Sequence, residues 1–185
     1  HLLSGDHQKA IANYEKAQEL FKKLDDKSGQ VIILNNLCHT YHQSNQLAIA
    51  LRVGLAGQQL YEAYSQTDDI PIRVYAYTLN NVGNTYLKQH DFETAVGYFE
   101  KASAIFRQQS DLYGEIYSLR GLAQVKMHHQ EYDEAFTKFQ RALTLAEKSE
   151  IRVELVQCHL ALAKAYKETN DFEQALFHFE KYYEF

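Results

Sequence analysis

The stretch Ala76–Gln109, which reads AYTLNNVGNTYLKQHDFETAVGYFEKASAIFRQQ, decides the fold of the chain. Its first half places one set of residues at i, i+3, i+4 and i+7, the spacing of one helix face: Leu79, Val82, Gly83 and Tyr86. Its second half contains a similar set: Ala95, Phe99, Ala102 and Phe106. Asp91 lies in the polar turn between the halves, where it can cap the second helix. The stretch therefore predicts two amphipathic helices, neither of which can bury its apolar face alone.

The same pattern returns before and after this stretch. Ala135 and Ala175 follow Ala95 in steps of 40 residues, while Ala50 and Ala10 precede it by 45 and then 40. Other positions recur with this anchor: a small residue in each first helix (Cys38, Gly83, Ala123, Ala163) and an aromatic residue four positions after the anchor (Tyr14, Phe99, Phe139, Phe179). A fixed period of this size indicates stacked helical repeats.

The recurring order of small, aromatic, Ala, aromatic and Ala residues resembles the tetratricopeptide repeat (TPR) family, and the resemblance covers almost the whole chain. The chain departs from the family pattern in its longer unit and in lacking the Pro that ends the second helix, a place held here by Lys22, Glu62, Arg107 and Glu147. The long unit is similar to a subgroup that includes bacterial signalling regulators and animal polarity scaffolds. The resemblance implies an all-α fold, a right-handed superhelix of about nine antiparallel helices whose first helices line a concave, peptide-binding groove.

The predicted organisation is a single array over residues 1–185. It comprises a partial repeat 1–27, repeats 28–69, 70–110 and 111–149, and a partial last repeat 150–185. The predicted helices cover about 6–24, 29–43, 46–66, 71–89, 91–108, 112–129, 131–148, 151–169 and 171–184. The link before Pro71 is five residues longer than its counterparts, and we expect Asp68 or Asp69 to cap the helix that follows it.

Composition excludes several functional classes. The net charge of −5 argues against general nucleic-acid binding. No run approaches the ~18 apolar residues of a membrane span, and no signal peptide opens the sequence. Cys38 and Cys158 lie three repeats apart on apolar helix faces, so we expect buried, unpaired thiols and a reducing compartment, the cytoplasm.

The TPR resemblance implies a set of groove residues on the first helices. The residues carried over are Asn36, His39, Tyr77, Asn80, Asn81, Asn84, Tyr117, Arg120, Gln124 and Lys164. Asn is a poor helix former, so several Asn at neighbouring first-helix positions need an explanation. Carboxamides can bind a peptide backbone through both a donor and an acceptor. The alternative is that these Asn are solvated or form hydrogen bonds between helices.

The sequence predicts neither a metal site nor a catalytic site. His39 and His42 share a helix face and His128 and His129 are adjacent, but no acidic side chain stands at ligand spacing beside them. No nucleophile–base order or phosphate-binding Gly loop is present, and the carboxylates fall mostly in turns or on outward faces. We therefore expect no cofactor and no enzymatic activity in these residues.

Three hypotheses for function remain open. The first is a protein-interaction scaffold that holds a peptide or partner helix in the groove. The second is the sensory or regulatory segment of a larger bacterial signalling protein with a cyclase, kinase or DNA-binding output domain. The third is a homodimer formed through the C-terminal helix, where aromatic residues spread over more than one face: Phe177, Phe179, Tyr182, Tyr183 and Phe185.

Overall fold

The computed structural model describes residues 2–184, with side chains from Asp6 onward. Within residues 2–184 all regular secondary structure is α-helical. Nine helices occur in this range: α1 (Leu2–Lys23), α2 (Lys27–Gln43), α3 (Leu47–Tyr64), α4 (Ile72–Lys88), α5 (Phe92–Gln108), α6 (Leu112–His128), α7 (Tyr132–Ser149), α8 (Arg152–Glu168) and α9 (Phe172–Glu184). Most helix ends lie within two residues of the predicted ones, but α1 begins four residues earlier.

Seven of the eight connections are tight turns that share one backbone geometry. Each contains a single non-glycine residue with positive φ, namely Asp25, Asn45, His90, Ser110, Gln130, Glu150 or Asn170. The next residue donates its N–H to a carbonyl five residues earlier, as from Asp91 to Tyr86 at 3.0 Å. This Schellman arrangement satisfies the last carbonyls of one helix before the next begins.

The remaining connection, between α3 and α4, is longer and lacks this geometry. Pro71 is the N-cap of α4, and no side chain makes a capping hydrogen bond there. The expectation that Asp68 or Asp69 caps α4 was therefore wrong, because the chain is already extended at Pro71 with its fixed φ. The prediction that Asp91 caps α5 is confirmed by its 3.2 Å hydrogen bond from the Thr94 N–H.

The chain divides into two compact units, residues 1–105 and 106–185. In the first unit α2 packs against α1 and α3, and it also contacts α4. Gly54 and Gly57 let α3 approach closely, because a Cβ at Gly54 would lie 2.8 Å from the Cys38 Sγ and 2.5 Å from Val82. Gly54 and Gly57 lie four and seven residues after Ala50, where the repeat anchored at Ala95 has Phe99 and Ala102, and they allow tight helix packing.

The second unit has the same arrangement. There α6 packs against α7, α7 against α8 and α8 against α9, while α6 also contacts α8. Its core contains Ile116, Ala135, Phe139, Ala142 and Leu162, all buried. In both units, therefore, consecutive helices pack together, and α2 contacts α4 as α6 contacts α8.

Both cysteines are buried and unpaired, as predicted. Burial raises the pKa of the Cys38 thiol to about 12, and the pKa of Cys158 likewise to about 12. The thiols therefore stay protonated and act as small apolar core residues.

Candidate functional site

Polar side chains meet where α2 and α4 contact each other in the first unit. Asn81 donates from Nδ2 to the Asn35 Oδ1 at 3.0 Å, and the Asn81 Oδ1 lies 3.3 Å from the His39 Nδ1. Because a carboxamide oxygen only accepts, His39 must carry its proton on Nδ1 in this hydrogen bond. In the tautomer with its one proton on Nδ1, the His39 Nε2 is an acceptor, on a side chain that is exposed.

These hydrogen bonds between α2 and α4 form what we call the α2–α4 seam. A second set of contacts continues the seam by one helical turn. The His42 Nδ1 lies 3.2 Å from the Thr85 Oγ1, and the Lys88 Nζ donates to the His42 carbonyl at 3.2 Å. Burial, together with the nearby Lys88 cation, lowers the pKa of His42 to about 4. His42 is thus neutral near pH 7, and it closes the seam by hydrogen bonding without adding charge.

The predicted groove residues of the first unit fall into two classes of exposure. Asn80 is fully buried and Asn81 is only 5% exposed, so neither carboxamide is open to a ligand, and Asn81 is the one whose hydrogen bonds to α2 are described. Asn36, Tyr77 and Asn84 are half-buried, and His39 is exposed. Asn81 thus makes inter-helix hydrogen bonds, the alternative that the sequence left open, while the accessible side chains lie beside it.

The α2 and α4 sequences contain no Asp or Glu, although the whole chain carries 24 such residues. The cations of α4 are Arg73 and Lys88, both exposed. A segment that binds along these two helices therefore meets amides, imidazole, phenol and positive charge, with no carboxylate from either helix to repel it.

The predicted groove residues of the second unit lie along α6 and α8. Arg120 donates to the Glu154 Oε2 at 2.7 Å and to the Gln157 Oε1 at 3.4 Å. Glu154 is only 3% exposed, so the positive charge of Arg120 is neutralised inside the protein. Tyr117 is half-buried on α6. Gln124, further along α6, and Lys164, on α8, are both exposed. The ten predicted residues thus form two groups, one in each unit.

A pocket of about 190 Å³ opens between α6 and α8 in the second unit. Its lining consists of Gln124, Met127, His128, Phe139, Ala161, Lys164, Ala165 and Glu168. Phe139 and Met127 are buried and form apolar surface, while Gln124, Lys164 and Glu168 are exposed. Two predicted groove residues, Gln124 and Lys164, therefore border an apolar recess.

Sequence reasoning missed several residues that build these seams. Thr78 and Thr85 were not singled out, although each hydrogen bonds to a side chain of α2. Glu115 and Glu154 were grouped with solvated carboxylates, yet both are buried and paired with Arg141 and Arg120. Their partners lie 26 and 34 residues away in sequence, so no local pattern could identify the pairs.

In residues 6–184, no three His, Cys, Asp or Glu side chains converge in a way that could hold a metal ion. His39 and His42 instead bond to Asn81 and Thr85. Across the described helices, none combines the length and the apolar character needed to cross a membrane.

The tetratricopeptide repeat family model matches residues 74–148 and 114–185, together more than half of the chain. The chain belongs to the tetratricopeptide repeat family. The predicted family is therefore confirmed. No curated protein sequence matches it significantly.

Solved structures with the same fold are distant in sequence from this TPR chain. BtubC (BKLC) from P. vanneervenii is 20% identical, with a TM-score of 0.75 over 97% of this chain and 73% of that one. Aspartyl phosphate phosphatase F from Bacillus subtilis is 16% identical, with a TM-score of 0.76 over 92% and 44%. A Rap protein complexed with Competence and Sporulation Factor is 15% identical, with a TM-score of 0.74 over 98% and 59%.

These similarities establish the fold. The predicted all-α helical-repeat solenoid is confirmed by the helices in residues 2–184, the family match and the solved structures. The TPR chain spans less than two thirds of the length of the phosphatase and of the Rap protein. The activities and partners of those longer proteins are therefore not assigned to this chain by the similarity in fold.

Proposed function

We propose that this TPR chain is a non-catalytic interaction scaffold that binds a peptide or partner helix along its first helices. The observation that carries the proposal is the α2–α4 seam, where the buried Asn81 holds the accessible His39 ring beside the accessible amides of Asn36 and Asn84. The Asn81 hydrogen bonds to Asn35 and His39 fix the His39 ring, and Asn84 donates to its own helix at the Asn80 carbonyl at 3.0 Å. Groups held in this way lose little conformational entropy when a ligand binds.

The chemistry of these groups suits a polypeptide backbone. The carboxamides of Asn36 and Asn84 can each donate and accept, and the His39 Nε2 can accept from a backbone N–H. Tyr77 adds a half-buried ring that can cover apolar side chains of the ligand. The Rap protein with a similar fold was solved in complex with Competence and Sporulation Factor, which supports binding as the role of this fold.

Selection from a random-peptide phage library tests the proposal. We expect peptides selected on the wild-type chain to lose at least roughly tenfold in affinity when His39→Ala and Asn84→Ala are combined, since about 1.4 kcal/mol is tenfold. The matched control combines Gln59→Ala and Glu100→Ala, two exposed positions on the second helices α3 and α5. Equal binding by both double variants would contradict binding along the α2–α4 seam.

A second proposal is that the chain is the regulatory segment of a larger bacterial signalling protein with its own output domain. It is supported by the phosphatase and the Rap protein, whose chains are longer than the part that this chain matches. The full-length coding sequence tests it: a cyclase, kinase or DNA-binding domain in the same reading frame would support it. A reading frame that encodes only TPR repeats would contradict it.

We also propose that α9 can join two copies of the chain. Phe172, Leu176 and Tyr183 are exposed on α9, Tyr183 by 80%. Phe185, which the sequence placed in the same cluster, lies outside the described residues. Sedimentation over a range of concentrations should show a dimer that Leu176→Ser with Tyr183→Ser dissociates; a monomer at every concentration would contradict this proposal.

The cellular setting follows as a proposal from charge and thiol chemistry. A net charge of −5 disfavours nucleic-acid partners, and two unpaired buried thiols suit the reducing cytoplasm. Fractionation of the native host should recover the chain with cytoplasmic proteins; recovery with membranes would contradict this placement.

A further inference from the structure

The pocket between α6 and α8 is the counterpart, two repeats further along the chain, of the closed seam between α2 and α4. In the first unit that seam is filled by His39 against Asn81 and by His42 against Thr85. The repeat spacing places Gln124 and Met127 at the positions of the two His, and Ala161 and Ala165 at the positions of Asn81 and Thr85.

The substitution of two polar residues by Ala explains the open pocket. The methyl side chains of Ala161 and Ala165 are too short to hydrogen-bond across to α6, and Phe139 on α7 also lines the recess. Met127, Phe139 and the two alanines therefore give the recess apolar surface, where the seam of the first unit is hydrogen-bonded. Its volume of about 190 Å³ is of the size that holds a six-carbon group, since an apolar cavity of about 150 Å³ binds benzene.

Two exposed lysines lie beside the pocket: Lys164 lines it, and Lys167 shares an adjoining recess with Lys164 and Glu168. Elsewhere in this unit Arg120, Lys126 and Arg141 each pair with a carboxylate. Lys164 and Lys167 are exposed and form no ion pair within the described residues, although Glu168 borders the same recess. A ligand carboxylate can therefore approach the two lysines without displacing an internal partner.

We propose that the pocket receives one large apolar side chain of a bound partner segment, and that an acidic residue next to it in that segment pairs with Lys164 and Lys167. The inference rests on the proposed scaffold function and specifies the ligand chemistry at the α6–α8 pocket. The partner is thus an acidic segment with a Leu, Ile, Met or Phe anchor. Apolar burial supplies affinity, and the two cations set the charge of the neighbouring residue.

Methyl NMR provides a direct test, because Met127 is the only methionine of the chain. Its labelled methyl group gives a single resonance on the pocket wall. The probe is a synthetic peptide selected from the random-peptide phage library on the wild-type chain. We expect the selected sequences to contain an apolar residue beside Asp or Glu, and the peptide to shift the Met127 resonance. The same peptide with its apolar residue changed to Ser should leave that resonance in place.

A variant that fills the pocket provides a second test of the proposal. Ala161→Leu places a side chain in the recess and should weaken the peptide at least tenfold, while Ala63→Leu at an exposed position of α3 should leave affinity unchanged. Lys164→Glu with Lys167→Glu should remove the preference for acidic sequences in a repeated selection. This charge variant lies on the surface and tests the inference independently of any repacking around Ala161.

The outcomes separate this inference from the scaffold proposal. Peptides that bind wild type and Ala161→Leu equally, but require His39 and Asn84, would overturn the pocket and leave the scaffold function standing. Peptides that depend on neither face, or a selection that yields no binding sequence, would overturn both.

Discussion

At the scale of single residues, two glycines in helices have opposite roles. A Cβ at Gly114 would lie 2.2 Å from the Phe106 ring, whereas a Cβ at Gly97 would meet nothing within 4 Å. Gly114→Ala should therefore destabilise the chain by about 1–3 kcal/mol through overpacking. Gly97→Ala should stabilise it by about 0.5–1 kcal/mol, since Ala is the better helix former. Urea unfolding measures both, and a stabilising Gly114→Ala would show that Phe106 does not occupy the described position.

Two asparagines three positions apart should also differ. Asn81 bonds to Asn35 and His39 across helices, whereas Asn84 bonds only within α4 among the contacts described. Asn81→Ala should cost about 1–3 kcal/mol because it removes two inter-helix hydrogen bonds made by a buried carboxamide. Asn84→Ala should stay within about 0.5 kcal/mol of wild type, as surface changes usually do. Equal losses in thermal unfolding would mean that the seam does not distinguish the two residues.

For single residues, the sequence predicted the burial of apolar side chains better than the contacts of polar ones. The periodic apolar positions predicted burial of Ala95, Phe99 and Phe139, and all three are buried. The pattern of Asn residues could not tell Asn81 from Asn84, because the distinction depends on side chains of α2 more than 40 residues away in sequence.

At the scale of elements, the left-handed residue in each tight turn offers a stability test. Gln130 has φ of 60° and Ser110 has φ of 54°, a conformation that costs an L-residue other than Gly about 1–2 kcal/mol. Gln130→Gly should therefore stabilise the α6–α7 turn by about 0.5–1 kcal/mol after the entropy of the unfolded Gly is offset.

The control for this prediction is Gln140→Gly, at an exposed position inside α7. Here the same exchange should destabilise by about 0.8–1 kcal/mol, because Gly is a poor residue for a helix interior. Chemical unfolding of both variants gives the comparison, and a loss of stability in both would contradict the turn geometry.

The docking of α9 on α8 should depend on pH. The Nδ1 atoms of His159 and His178 lie 2.9 Å apart, and burial lowers both pKa values, that of His178 to about 4. Because the folded pKa is lowered, stability is fully present above about pH 6.5 and is lost as the pH falls toward 4. The slope is at most about 1.4 kcal/mol per pH unit for each such His.

Three charged groups also act on His159, namely Glu147, Lys181 and Glu184, the carboxylates raising its pKa and the lysine lowering it. His178→Phe keeps a ring against Tyr166 and removes one titrating group, so the loss of stability between about pH 6.5 and about pH 4.5 should become shallower. His129→Gln, at an exposed position, is the control. An unchanged slope in unfolding experiments across this range would contradict the role of the His pair.

At the scale of the whole molecule, the sequence predicted the helical repeat from recurring residue types. The predicted helix ends agree closely with the observed ones, because each tight turn is determined by local sequence. From His90 to Asn170 the left-handed residue of these turns recurs every 20 residues. Binding features were predicted less well. The pocket at Ala161 depends on which first-helix residues face each other across a repeat, and single-helix periodicity does not specify that pairing.

The central claim is that the first helices bind a polypeptide. Its most direct test is backbone and Asn side-chain amide NMR of the chain with a peptide selected on it. We predict that the perturbed resonances lie on α2, α4, α6 or α8, with the side-chain amides of Asn36 and Asn84 or the Met127 methyl among them. Perturbations confined to the outer faces of α3, α5, α7 or α9 would contradict the claim.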